Sequence, residues 1–173
     1  LITGTGVLMY ASLDNLKDEK LIFKIIDTNF EDLVGKDYIE HNKSIVKHIL
    51  IKNNKIYVSY GKKVNDECYT NAILVSNLEL ERITFNEFFD MNECQPFHTL
   101  QVGGNLSDFK DNKILMTIGA YHSYEYQKNN NPQNMNSLVG KMISIDENTK
   151  ESKILSMGHR NSQGLYYDKE NNI

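Results

Sequence analysis

Ile49-Leu50-Ile51-Lys52-Asn53-Asn54-Lys55-Ile56-Tyr57-Val58-Ser59-Tyr60 is the stretch that decides the fold class of this chain. Two runs rich in Ile, Val, Leu and Tyr flank a short polar break, and β-branched and aromatic residues suit extended backbone. Asn tolerates left-handed backbone and bonds to its own neighbours, so Asn53-Asn54 stands where a tight hairpin must turn. The plan returns downstream. Leu106-Ser107-Asp108-Phe109 leads through Lys110-Asp111-Asn112-Lys113 into Ile114-Leu115-Met116-Thr117-Ile118, and Asp168-Lys169-Glu170-Asn171-Asn172 is a third loop of the same make. The two hairpins start roughly 55–60 residues apart, near the ~40–50 residues of a four-stranded propeller blade with loop insertions. A β-sandwich accounts for the local pattern as well, and the pattern alone leaves both architectures open.

Outward from these hairpins the chain continues in short alternating or β-branched runs separated by polar turns. No long stretch has the i, i+3, i+4, i+7 spacing of an amphipathic helix. Strands are expected over residues 6–12, 21–27, 44–51, 55–60, 71–78, 82–89, 104–109, 113–118, 140–146, 152–157 and 164–167. Of 173 residues, 40% are hydrophobic, too many for a solvated disordered coil and enough for a modest core. The net charge of -4 gives no electrostatic reason to expect nucleic acid or an anionic membrane as partner. No window approaches the ~18–20 uninterrupted apolar residues of a membrane-spanning helix. The chain opens on Leu1 without an initiator Met or a signal peptide and stops at Ile173 on the approach to a strand, so a piece of a longer domain is expected.

Cys68 and Cys94 allow one disulfide at most, and spacing leaves a bridge and two unrelated thiols equally open. No Cys-x-x-Cys pair or zinc-like His/Cys cluster occurs, and no metal-ligand set is assigned in this chain. There is no nucleophile elbow, phosphate-cradling glycine loop or paired-carboxylate motif either. The longest polar stretch, residues 121–136, reads as a functional loop or an insertion.

The densest polar constellation is Gly158-His159-Arg160-Asn161-Ser162-Gln163-Gly164-Leu165, which follows the apolar Ile154-Leu155-Ser156-Met157. Flanking glycines let backbone approach a ligand closely, and the Arg fork suits carboxylate. These residues fit an anion-binding loop; they also fit an ordinary interstrand loop whose Arg and Asn bind backbone carbonyls.

The stretch resembles the Gly-His-Arg-Asn-Pro-Gln-Gly-Leu signature of the glucose/sorbosone dehydrogenase family, the soluble quinoprotein sugar dehydrogenases. Two further segments follow the family's order. Asn136-Ser137-Leu138-Val139-Gly140-Lys141-Met142-Ile143-Ser144-Ile145 resembles its Ser-Leu-x-Gly-Lys-Ile-Leu-Arg-Ile strand. Gly103-Gly104-Asn105-Leu106 with Lys113-Ile114-Leu115-Met116-Thr117-Ile118-Gly119 resembles its Gly-Gly-Arg-Leu hairpin ending in Thr-x-Gly. Ile45 to Glu87 resembles the family's preceding blade, whose Val-Tyr-Leu-Ser-Tyr strand appears here as Ile56-Tyr57-Val58-Ser59-Tyr60.

The resemblance covers about residues 45–173 and implies an all-β fold. The whole of 1–173 is then a single incomplete domain, a partial six-bladed β-propeller of about three four-stranded antiparallel blades. It implies oxidation of a sugar hydroxyl by hydride transfer to pyrroloquinoline quinone, with calcium assisting through residues beyond Ile173. A small-molecule sugar is the implied partner. The family is mostly exported, which implies a periplasmic or secreted location, and a Cys68–Cys94 bridge would agree with it.

Carried over by position, Arg160 and Asn161 fall on the residues that contact the quinone, Arg160 being the catalytic one, and Gln163 on the residue that holds the loop. The family's general-base His position is occupied by Gln101, and a neutral carboxamide cannot accept a proton near pH 7. His98, three residues upstream, is an alternative base if the loop is shifted, and otherwise a loop histidine beside Pro96-Phe97. Asn105 replaces the motif Arg, Ala120 an Asp that commonly follows Thr-x-Gly, and Ser162 the usual Pro, which loosens the loop. Tyr121, His122 and Tyr124 fall in the substrate-side loop and suit stacking on a sugar ring, or else form a solvated Tyr-rich insertion. The departures leave open a propeller of the same lineage that has lost catalysis and binds carbohydrate or protein.

Overall fold

Asn53 and Asn54 turn the first hairpin with φ of 50° and 58°, and Asp111 and Asn112 turn the second with 55° and 54°. Two successive positive φ values give the turn a twist that matches paired strands, which is why short polar side chains occupy both sites. The computed structural model describes residues 1–13, 21–95, 102–121 and 131–171. The first hairpin joins β3 (Val46–Lys52) to β4 (Lys55–Asn65), and the second joins β8 (Gly103–Phe109) to β9 (Lys113–Ile118).

Each hairpin is half of a four-stranded sheet. With β5 (Cys68–Asn77) and β7 (Asn86–Asp90) the order is β3-β4-β5-β7; with β10 (Lys141–Asp146) and β11 (Ser152–Met157) it is β8-β9-β10-β11, all antiparallel. β1 (Leu8–Tyr10), β2 (Lys24–Thr28) and β6 (Arg82–Ile83) form a smaller third sheet.

The middle sheet explains the dense apolar sequence that flags it. Along β4, Ile56, Val58 and Tyr60 point into a core shared with the small sheet, whereas Tyr57 points into a core shared with β8–β11. Along β5, Ala72 and Leu74 join the first core and Ile73 the second. A strand alternates faces with period two, so a sheet covered on both sides needs apolar residues at consecutive positions. Three successive sheets, each buried against the next, are propeller blades and exclude the two layers of a sandwich. Each fully buried Ile, Leu or Val contributes about 1.5–3 kcal/mol of transfer free energy.

Four expectations are corrected. The strand expected over 82–89 is two: β6 pairs in parallel with β2, and β7 closes the middle sheet. The chain changes sheets at Phe85, whose N–H donates to Asn29 Oδ1 at 2.7 Å and whose carbonyl accepts from Asn29 Nδ2 at 3.1 Å, so a side chain replaces the ladder there. As a result the first sheet, among the described residues, is three-stranded and mixed. No strand forms over 164–167, where Tyr167 instead packs edge-on against Phe109 at 4.7 Å. Residues 30–41 hold two short helices, α1 (Phe30–Val34) and α2 (Lys36–His41), whose buried Phe30 and Tyr38 join the first core. Helices of five and six residues are too short to show a helical period in sequence.

At the hairpin end of the blades, Lys52 is buried and forms ion pairs with Asp108 at 2.8 Å and Glu147 at 3.1 Å. It also donates to the Lys113 carbonyl at 3.0 Å, and the Tyr57 hydroxyl donates to Glu147 at 3.2 Å. This polar clamp joins the two four-stranded sheets where their hairpins lie side by side.

Candidate functional site

The opposite end of the blades, where β9 and β11 finish and β8 and β10 begin, carries residues 158–163. Gly158 leaves β11 at φ +84°, and a Cβ there would lie 2.9 Å from Gln133 Nε2. Four backbone groups of the loop are then pinned inward. Gly158 N–H donates to the Pro132 carbonyl (2.9 Å) and His159 N–H to the Gly140 carbonyl (3.0 Å). The Arg160 carbonyl accepts from Ala120 N–H at 2.7 Å. The Ser162 carbonyl accepts from both Asn105 Nδ2 and Thr117 Oγ1 at 3.1 Å. His159 is fixed by a 2.8 Å contact between its Nε2 and Ser156 Oγ.

With the backbone anchored, Arg160, Asn161 and Gln163 are exposed. Gln163 Nε2 donates to Asn161 Oδ1 at 2.7 Å, which occupies the acceptor side of that carboxamide and leaves its Nδ2 as a donor. The loop therefore carries the exposed Arg160 and an Asn161 amide donor on a fixed backbone. Ser162, expected to loosen the loop, has its carbonyl held by two donors. One of those is Asn105, so the residue replacing the family's Arg serves as an anchor for the loop.

The structure does not place every expected residue at this surface. Tyr121 is 1% exposed and packs in the core shared by the two four-stranded sheets. Its hydroxyl is enclosed without a hydrogen-bond partner among the described residues, and burial pushes its pKa well up, Tyr38 and Glu93 adding to the effect. A ring so enclosed cannot stack on a sugar, which corrects the substrate-binding expectation for Tyr121. Gln101, His98, His122 and Tyr124 lie outside the described residues. Among the described residues no cluster of three His, Cys, Asp or Glu side chains has the spacing to hold a metal ion.

Glu93, which the sequence did not single out, joins two segments beneath the loops. Glu93 accepts from Ser137 Oγ at 2.5 Å and Leu138 N–H at 2.8 Å, which ties the segment after β7 to the approach of β10. Cys68 and Cys94 are bridged, with Cα atoms 4.8 Å apart, and Tyr69 pairs with Gln95 beside them. A lone Glu in Met91-Asn92-Glu93-Cys94 gives no local signal of this role, because its partners are more than forty residues away.

Sheets of three and four strands, mostly antiparallel and stacked as blades, define a partial β-propeller. The family described as Glucose / Sorbosone dehydrogenase matches residues 45–173, and the chain belongs to it. Among solved structures, a glucose dehydrogenase matches with a TM-score of 0.61 at 17% identity, over 73% of this chain and 42% of that one. A crystal structure of glucose dehydrogenase gives 0.58 at 17% identity, over 73% and 41%. The soluble aldose sugar dehydrogenase of Escherichia coli, in its apo-form, gives 0.54 at 20% identity, over 70% and 38%. At these identities the likeness is one of fold, and the chain spans about two fifths of the length of those proteins. No curated protein sequence matches the chain.

Proposed function

We propose that this chain forms one side of the quinone site of a diverged sugar dehydrogenase, with Arg160 and Asn161 as the contacting residues. The observation that carries this reading is the double anchoring of the Ser162 carbonyl, which fixes the backbone while Arg160 and Asn161 stay exposed. The donor set fits the group. Pyrroloquinoline quinone is a planar, polycarboxylated dione, and a guanidinium beside a free amide N–H complements its oxygens in charge and hydrogen bonding. When bound, the quinone supplies the hydride acceptor for oxidation of a sugar hydroxyl.

The roles of the chain's own residues follow from their chemistry. Arg160 orients an oxygen-rich edge and stabilises negative charge that develops on it. Asn161 adds a directed donor, and Gln163 keeps that donor outward by occupying the other half of its carboxamide. Among the described residues there is no cluster of three His, Cys, Asp or Glu side chains to hold calcium. The Cys68–Cys94 bridge supports an oxidising compartment, periplasmic or extracellular.

A second reading is favoured by one observation in the sequence. Gln101 stands at the family's general-base position and cannot take the sugar proton, so a propeller that binds without oxidising follows unless His98 substitutes. Dye-linked sugar oxidation by the complete, quinone-reconstituted protein decides between the two. Activity in the natural protein supports the dehydrogenase. No activity, with activity restored by Gln101→His, supports the binding module.

A further inference from the structure

Lys141 is fully buried at the start of β10, yet no carboxylate lies in its hydrogen-bonding shell. Its ammonium donates to three backbone carbonyls: Asn131 at 2.8 Å, Val139 at 2.9 Å and Pro132 at 3.0 Å. All three of its N–H donors are thereby used. Three carbonyls converging on one positive charge is the arrangement by which a loop wraps a bound cation. Here the cation is covalently part of the chain. Its charge is offset from a distance by Glu93, which holds Ser137 and Leu138 of the same loop.

The Pro132 carbonyl is shared. It also accepts from Gly158 N–H at 2.9 Å, where residues 158–163 begin. The neighbouring Gly140 repeats the connection: its carbonyl accepts from His159 N–H, and its N–H donates to the Gly119 carbonyl, both at 3.0 Å. A Cβ on Gly140, at φ +68°, would lie 2.7 Å from Pro132 Cβ and 2.8 Å from the His159 carbonyl oxygen, so the two loops meet with no space between them. The Lys141 ammonium is the centre of this seam.

We propose that Lys141 is a positioning residue: its buried ammonium takes the place of a bound cation in folding residues 131–139, and through Pro132 it sets where the Arg160–Asn161 loop starts. Its effect on ligand rests on the quinone reading above; the seam itself does not.

The test compares wild type, Lys141→Met and Lys141→Ala in the complete protein. Exchange of the Gly158 and His159 amides is measured against that of Gly61 in the middle sheet, with and without n-propylammonium, and with n-propanol as the uncharged control. Loss of the ammonium should speed Gly158 and His159 exchange by roughly tenfold or more relative to Gly61, the size of one lost charged hydrogen bond. In Lys141→Ala, propylammonium should restore protection and propanol should not. If Lys141→Ala folds only with propylammonium present, the inference is also supported. Equal loosening at Gly158 and Gly61, or an equal response to propylammonium and propanol, overturns it.

Quinone affinity supplies the readout that a merely structural residue would not move. Lys141→Met should bind roughly tenfold more weakly even where its melting temperature is matched to wild type by a stabilising osmolyte. Unchanged affinity there overturns the positioning role. Absence of quinone binding in wild type overturns the quinone reading, while the exchange experiment still decides the seam.

Discussion

Asn105 Nδ2 donates to the Ser162 carbonyl at 3.1 Å and ties the first strand of the last blade to the loop carrying Arg160 and Asn161. Thr117 Oγ1 donates to the same oxygen and also accepts from the Asn105 N–H at 3.1 Å. Removing the Asn105 carboxamide should therefore leave the loop held by one donor. Asn105→Ala is expected to cost about 0.5–1.5 kcal/mol of stability and to weaken quinone binding by up to roughly tenfold. Titration calorimetry alongside urea unfolding measures both; a loss of stability with unchanged affinity would show that the anchor does not govern the ligand surface.

Asp108 is poised to make the fold acid-sensitive. Burial acts to raise its pKa, but hydrogen bonds from Lys169 and Lys52 outweigh burial and hold it below the ordinary carboxylate value. A carboxylate whose folded pKa is depressed stabilises fully above its unfolded pKa of about 3.9 and loses that contribution as pH falls through the folded value. Asp108→Asn should cost about 1.5–3 kcal/mol at neutral pH, and its difference from wild type should shrink toward zero as pH falls below the unfolded value and through the lower folded one. Unfolding free energies measured across that range check the sign; a constant difference would mean the ion pair is not what is lost.

Lys47 predicts the opposite limb. Burial lowers its pKa to about 8, while its Nζ donates to the Ser44 carbonyl. Between pH 8 and the unfolded value of about 10.4, the unfolded chain binds a proton that the folded chain does not, so stability rises with pH over that window. Lys47→Met keeps the apolar stem that packs on Gly104 and should flatten the rise while stabilising the protein at pH 7. The difference between variant and wild type isolates Lys47 from Lys141 and Lys150, whose pKa values burial also lowers.

The Cys68–Cys94 bridge closes a loop of 26 residues. Loop-closure entropy for that length makes it worth about 3–4 kcal/mol, so Cys68→Ser with Cys94→Ser should lose that much in denaturant unfolding. Thiol labelling of the unfolded protein without reductant should find no reactive cysteine, and labelling at both positions would contradict the bridge.

Among the described residues β11 pairs only with β10, and it exposes Leu155 and Met157. An open strand edge with apolar neighbours recruits other chains. The 173-residue chain expressed alone is expected to self-associate in sedimentation, and Leu155→Lys to reduce this. A monomer that melts cooperatively would count against a partial propeller.

Much of the fold was legible because its determinants are local. Asn53-Asn54 and Asp111-Asn112 declare their hairpins through a backbone preference carried by the side chains themselves, and the bounds of β9 and β11 match the expected 113–118 and 152–157. Tertiary partners decided what was not legible. The break at Phe85 depends on Asn29, 56 residues away, and α1 and α2 form where buried Phe30 and Tyr38 have a core to enter. The candidate loop could be located from Gly158 to Leu165, yet its anchors Asn105 and Thr117 lie 57 and 45 residues before Ser162, and their own motif did not mark them as anchors. Tyr121 misled for a related reason. Beside His122 and Tyr124 it reads as a solvated ring, and only the packing of two sheets shows it to be enclosed.

Binding of pyrroloquinoline quinone to the complete protein, followed by titration calorimetry for wild type and Arg160→Ala, tests the quinone site most directly. Saturable binding by wild type, with an affinity at least roughly tenfold weaker in Arg160→Ala and an unchanged melting temperature, is the predicted result. Equal affinity in the two proteins, or no binding by wild type, would contradict a quinone site built on Arg160.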